Sequence, residues 1–380
     1  MKSDEFQGKV ARLYDEAGKG LNYLSEYVKA LECLEKVLVI RERVLGTEHP
    51  DTATTYNNMA SVYQRQGDYA EALVWYEKAL VIRERVLGTV HPDTATTYNN
   101  IASVYQHQGD YAEALVWYEK DLVITERVLG TVHPDTATTY NNIASVYQRQ
   151  GDYAEALVWH EKALVIRERV LGTEHPDTAT TYNNIASVYQ RQGDYAEALV
   201  WYEKDLVITE RVLGTEHPDT ATTYNNIASV YQRQGDYAEA LVWYEKALVI
   251  RERVLGTGHP DTATTYNNIA SLYHEQGDYA KASEWYEKAL VILERFLGTE
   301  HPSTAATYNN IASAYHDQGE YDEALVRLLK SFISFYKKLG LNHPDTLAVK
   351  NHLKTTYEKS DPPKPFDEWL SHHTKSISKD

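Results

Sequence analysis

Residues 49–90 read HPDTATTYNNMASVYQRQGDYAEALVWYEKALVIRERVLGTV. Tyr56, Met59, Ala60 and Tyr63 fall at i, i+3, i+4 and i+7, one stripe of a 3.6-residue helix. The spacing predicts a helix A over 51–66, opened by Pro50, which needs no amide donor there, and by Asp51, whose charge suits a helix N-terminus. Gly67 and Asp68 turn the chain. Tyr69, Ala72, Leu73, Tyr76, Ala79, Leu80 and Leu87 then form a second stripe, flanked by Trp75, Ile82 and Val86, which predicts a helix B over 69–87 ending at Gly88. Helix B is apolar on more than one face, so it must be gripped both by its own helix A and by the next unit. A lone unit of this kind would not fold.

Working outward, His-Pro recurs at His49, His91, His133, His175, His217, His259, His301 and His343, always 42 residues apart. Residues 49–90 and 175–216 differ at four positions. A second layer is superposed: Asp121 with Thr125, and Asp205 with Thr209, stand where Ala79 with Arg83, Ala163 with Arg167 and Ala247 with Arg251 stand elsewhere. The duplicating unit was therefore two repeats long. The ends diverge in register, as stacked repeats require of their caps. The expected organisation is an N-terminal tail 1–8, a divergent first repeat 9–48, seven 42-residue repeats over 49–342, a capping helix 343–359 and a Pro-containing tail 360–380. That tail holds Pro362, Pro363 and Pro365, with Phe366, Trp369 and Leu370 beyond them.

Met59, Ala60, Tyr63, Gly67, Tyr69, Ala72, Tyr76 and Ala79 resemble the pattern of the tetratricopeptide repeat, over nearly the whole chain. The period and the phrases NNMASVYQRQGDY, EKALVIRERVLG and HPDTA are most similar to the kinesin light chain variety. The resemblance implies an all-α, right-handed superhelical solenoid of antiparallel helix pairs, about eight repeats and a C-terminal capping helix, whose A helices line a concave protein-binding face. The chain departs from the pattern in having Tyr56 where Trp is usual, in lacking the closing Pro, and in placing Asp121 and Asp205 at a position normally small.

The formal charge of −17 disfavours nucleic acid, which needs clustered cations. Cys33 is the only cysteine, so no disulfide framework forms, and a reducing, cytoplasmic setting is expected. No apolar run of about 18 residues is present, so no membrane contact is expected. Histidines of successive repeats must lie at least one helix packing distance apart, about 8–10 Å, which is too far for one metal ion. No catalytic residue, metal or cofactor is expected.

The helix A residues pointing away from the core stripe are Thr54, Asn57, Ser61, Gln64 and Arg65, with Asn58 at the edge. Stacking turns one of them into the row Asn57, Asn99, Asn141, Asn183, Asn225, Asn267 and Asn309, amides able to pair with a peptide backbone. A charged row reads Arg65, His107, Arg149, Arg191, Arg233, then Glu275 and Asp317. Together these predict a groove for an extended, acidic segment of a protein or peptide partner. Two other readings stay open. One is a kinesin light chain-like cargo-binding motor subunit, against which few residues precede the first repeat to supply a coiled coil; the other is a self-assembling repeat protein.

Overall fold

The computed structural model describes residues 2–23, 26–361 and 364–374, with the side chains of 2–4 left aside. The chain divides into two compact units, 1–208 and 209–380. The first holds α1 (Lys2–Tyr23), α2 (Tyr27–Leu45), α3 (Pro50–Arg65), α4 (Tyr69–Val86), α5 (Pro92–Gln108), α6 (Tyr111–Val128), α7 (Pro134–Gln150), α8 (Tyr153–Val170), α9 (Pro176–Gln192) and most of α10 (Tyr195–Val212). The second holds α11 (Pro218–Gln234), α12 (Tyr237–Val254), α13 (Pro260–Glu275), α14 (Tyr279–Phe296), α15 (Pro302–Gln318), α16 (Tyr321–Leu339), α17 (Pro344–Lys359) and α18 (Phe366–Thr374). No strand occurs among the described residues. Within each unit consecutive helices pair, and each pair packs on the next.

A His-Pro sequence, followed by Asp in all but α15, starts each helix A from α3 onward by one device. The imidazole Nδ1 of His49 accepts from the Asp51 amide at 3.1 Å, and His91, His133 and His175 do the same for the residues two places on. The ring thus does what an Asp or Ser side chain does at an N-cap, while Pro50 occupies the first helical position. Thr52 Oγ1 donates back to the Gly46 carbonyl at 2.8 Å, closing the turn against the preceding helix end. Gly88, just past α4, has φ +94°, where a Cβ would be strained.

The core is a repeated interlock of large and small side chains. Ala60 and Ala72 are fully buried where α3 and α4 approach, and Tyr76, Tyr118, Tyr202 and Tyr244 fill the space between helices at 1–2% exposure. Trp75 pairs with Tyr56 of its own repeat, ring centroids 5.6 Å apart, and Lys78 Nζ lies 3.9 Å above the indole.

The ends differ from the expected boundaries. Residues 2–8, expected as a tail, belong to α1, so the first helix begins well before residue 9. At the other end α18 docks: Phe366 and Leu370 are buried against α16 and α17, and Trp369 lies 4.7 Å from the Tyr357 ring. That apolar contact holds part of the 360–380 segment. Pro362, Pro363 and residues 375–380 lie outside the described residues.

Candidate functional site

The charged row lies in or just past the last turn of successive A helices. In the first unit Arg65 on α3, His107 on α5, Arg149 on α7 and Arg191 on α9 are all exposed. A cation in the last turn also complements the helix dipole, so these residues suit their position whether or not anything binds them. His107 does not contribute a full charge. Its ring stacks 5.9 Å from Tyr69 and its Nδ1 lies 2.6 Å from the Ser103 carbonyl, and loss of hydration, reinforced by Arg149, holds its pKa below the usual histidine value. In the second unit the same position carries Arg233, Glu275 and Asp317. Glu275 accepts from Gln232 Nε2 at 2.8 Å, and Asp317 lies 3.0 Å from His274 Nε2.

The asparagine row is engaged internally, which corrects the expectation of an open amide ladder. Asn141 and Asn225 are only 5% exposed; their amides donate to Thr181 and Thr265 of the following repeats at 3.1 Å. Asn57 Oδ1 accepts from Asn100 Nδ2, Asn99 donates to Asp121, Asn183 to Asp205 and Asn267 to Thr307, while Asn309 Oδ1 lies 3.0 Å from His352 Nδ1. Asn58 donates to Asp15 at 3.0 Å. Asn99 and Asn183 bond within their own repeat, helix A to helix B, while the other amides join one repeat to the next, and all satisfy polar groups that stacking would otherwise bury unpaired.

A second internal ladder escaped the sequence reading. Tyr76 Oη donates to Gln64 Oε1 at 3.0 Å, and Gln64 Nε2 donates to Ser103 Oγ of the next repeat at 2.9 Å. Tyr118, Gln106 and Ser145 repeat the arrangement, as do Tyr244, Gln232 and Ser271. The pattern breaks at His160, which stands where the repeats on either side of it have tyrosine. Its Nδ1 lies 2.7 Å from Asn141 Oδ1, and its buried Nε2 has no hydrogen-bond partner. Burial and the nearby Arg167 push its pKa down to about 4.

The alternation of Arg83 with Thr125 has a structural expression. Arg83 is 5% exposed; its Nη1 donates to the Asp93 carbonyl at 2.8 Å and to Thr97 Oγ1 at 2.7 Å, and its Nη2 to Thr54 Oγ1 at 3.3 Å. Arg167 makes the same three bonds to Asp177, Thr181 and Thr138. One repeat on from Arg83, the equivalent residues Thr96, Asp135 and Thr139 remain, but Thr125 does not reach them, and a cavity of about 220 Å³ is left. Asp121 lies at its floor, 3% exposed, accepting from Thr139 Oγ1 at 2.7 Å and Asn99 Nδ2 at 3.1 Å. Burial raises the pKa of this carboxyl, with the two hydrogen bonds acting against the rise.

Among the described residues no group of three or more His, Cys, Asp or Glu is placed to hold a metal ion, and no helix is long and apolar enough to cross a membrane. A tetratricopeptide repeat family model matches residues 9–85, 51–122, 93–164, 135–204, 181–252, 219–295 and 261–332. The chain belongs to the tetratricopeptide repeat family. No curated protein matches it. A Podosopora anserina protein of kinesin light chain type with nearly identical TPR-like repeats superposes with a TM-score of 0.45 at 28% identity, covering 54% of this chain and 98% of that one. BtubC from P. vanneervenii gives 0.46 at 22%, covering 67% and 92%. The apo form of RapI gives 0.54 at 19%, covering 76% and 98%, a likeness of fold.

Proposed function

We propose that this tetratricopeptide repeat chain is a protein-binding scaffold that holds an extended, acidic segment of a partner along the A helices of its first unit. The observation that carries the reading is the exposure of Arg65, Arg149 and Arg191 at one helical position of successive repeats. Guanidinium groups so arranged can each take a carboxylate in a forked hydrogen bond. Arg233 offers the same group in the second unit.

Magnitudes limit what the row can do. Exposed ion pairs are worth up to about 1 kcal/mol each, so three give about 3 kcal/mol, far from the roughly 8 kcal/mol of a micromolar complex. The arginines therefore confer selectivity, and affinity comes from contact spread over several repeats. The net charge of −17 opposes an acidic ligand at long range, but at physiological ionic strength fields decay over about 8 Å, so the local row decides.

The test uses fluorescein-labelled acidic peptides selected for binding from a random-peptide display library, measured by anisotropy. Arg149→Glu with Arg191→Glu is expected to weaken them at least tenfold and to flatten the salt dependence. Selection that returns no acidic peptides, or unchanged affinity in the variant, would sink the proposal.

A further inference from the structure

We propose that the cavity under Thr125 is a seat for the guanidinium group of an arginine side chain supplied by a partner protein. The chain itself displays the occupied form of this seat. In α4 and α8 an internal arginine fills it, held by two threonine hydroxyls and a backbone carbonyl. At Thr125 the same acceptors are retained as Thr96, Thr139 and Asp135, the arginine is gone, and Ala79 is replaced by Asp121.

The exchange changes the local charge by two, from a cation that brings its own side chain to an anion that lacks one. Asp121 makes the empty seat a better acceptor than the filled ones, because a guanidinium bound there meets an anionic carboxylate, whereas Arg83 meets only neutral hydroxyls and a carbonyl. Burying a lone carboxylate is costly unless a cation joins it, which gives the site its preference for charged over neutral groups. Access is open: Thr96, Asp135 and Thr138 at the mouth are exposed, while Asp121, Thr125 and Thr139 at the floor are buried. The size is decisive too. At about 220 Å³ the cavity is smaller than the roughly 300–1,000 Å³ of cofactor and drug-sized sites, and it suits the end of one side chain.

Thr96 and His107 lie eleven residues apart on α5, about 16 Å along the helix, so this seat and the arginine row are separate features. Neither requires the other.

The test is isothermal titration calorimetry of the full chain with two blocked peptides, acetyl-Gly-Arg-Gly-amide and its citrulline counterpart, an uncharged near-isostere, and with agmatine as a free guanidinium compound. Because the Asp/Thr pair recurs in the sequence at Asp205 and Thr209, two variants are needed: Asp121→Ala with Thr125→Arg, and the same plus Asp205→Ala with Thr209→Arg. Both write the residues of neighbouring repeats into these positions, and unchanged thermal unfolding checks that they fold. We expect saturable binding of the arginine peptide, at least tenfold weaker binding of the citrulline peptide, fewer sites in the first variant and loss in the second. Equal binding of citrulline, undiminished binding in the second variant, or no binding to the wild-type chain overturns the seat. Agmatine binding as tightly as the arginine peptide overturns its assignment to a partner's side chain.

Discussion

His160 is the residue where one repeat parts from its neighbours with a measurable consequence. The imidazole is buried in its neutral form, whereas in the unfolded chain it titrates near 6.5. The unfolded state therefore binds the extra proton between pH 6.5 and about 4, and stability falls as pH drops through that window, by about 3 kcal/mol when complete. His160→Tyr, which restores the residue of Tyr118 and its bond to glutamine, should remove this term. The difference in denaturation midpoint between wild type and variant should widen from pH 7 to pH 4.5; parallel profiles would refute the assignment. The oddity of His160 is visible in the sequence, but its state is not, because nothing in a 42-residue period says which neighbour closes over the ring. The same gap explains the asparagines. Helical angle places Asn141 off the core stripe, yet the next repeat's Thr181 lies against it, and only the stacking geometry reveals that partner.

Helix A and helix B were legible because each signal is local: the stripe through Tyr56 and Tyr63, the turn at Gly67, the proline after each histidine. The cap itself was half legible, since Pro50 and Asp51 marked the start, while the acceptor turned out to be His49. His133→Ala removes one such acceptor and leaves the Asp135 amide without it. A loss on the order of 1 kcal/mol is expected from denaturant melts, and an unchanged midpoint would count against the capping role. The terminal helices were not legible for opposite reasons. The start of α1 is too polar to show a stripe, and α18 is too short for its Phe366, Trp369 and Leu370 to be told from a tail with apolar residues.

Across the molecule, near-identity makes positions in different repeats replicates of one another. Tyr118→Ala and Tyr244→Ala each delete a fully buried ring bonded to a glutamine, in the first and second unit respectively. Each should cost about 3–5 kcal/mol, and the two values should be similar because the same ring, bonded to the same kind of glutamine, is lost from near-identical repeats. Denaturation curves fitted with a nearest-neighbour repeat model would measure both. A marked inequality would show that the repeats are not energetically equivalent despite their sequence. The family and the pairing of helices needed no more than the repeat to be recognised. At the few places where repeats differ, such as Thr125 and Asp121, the sequence showed the substitution without the space it opens.

Within each unit the Tyr-Gln-Ser arrangement, broken at His160, joins repeats through nearly the same residues, so the chain carries several interchangeable plugs and sockets. A refolding chain has no local means of telling the correct socket from the one 42 residues further on. Skipping a repeat loops out that many residues at an entropic cost of about 3 kcal/mol plus a constant, to which the unpaired repeat adds its lost packing. The native order is therefore favoured by energy but not by recognition, and it falls to the divergent C-terminal end, where the α16–α18 aromatics pack as no other repeat's side chains do, to fix the frame from which correct pairing can spread.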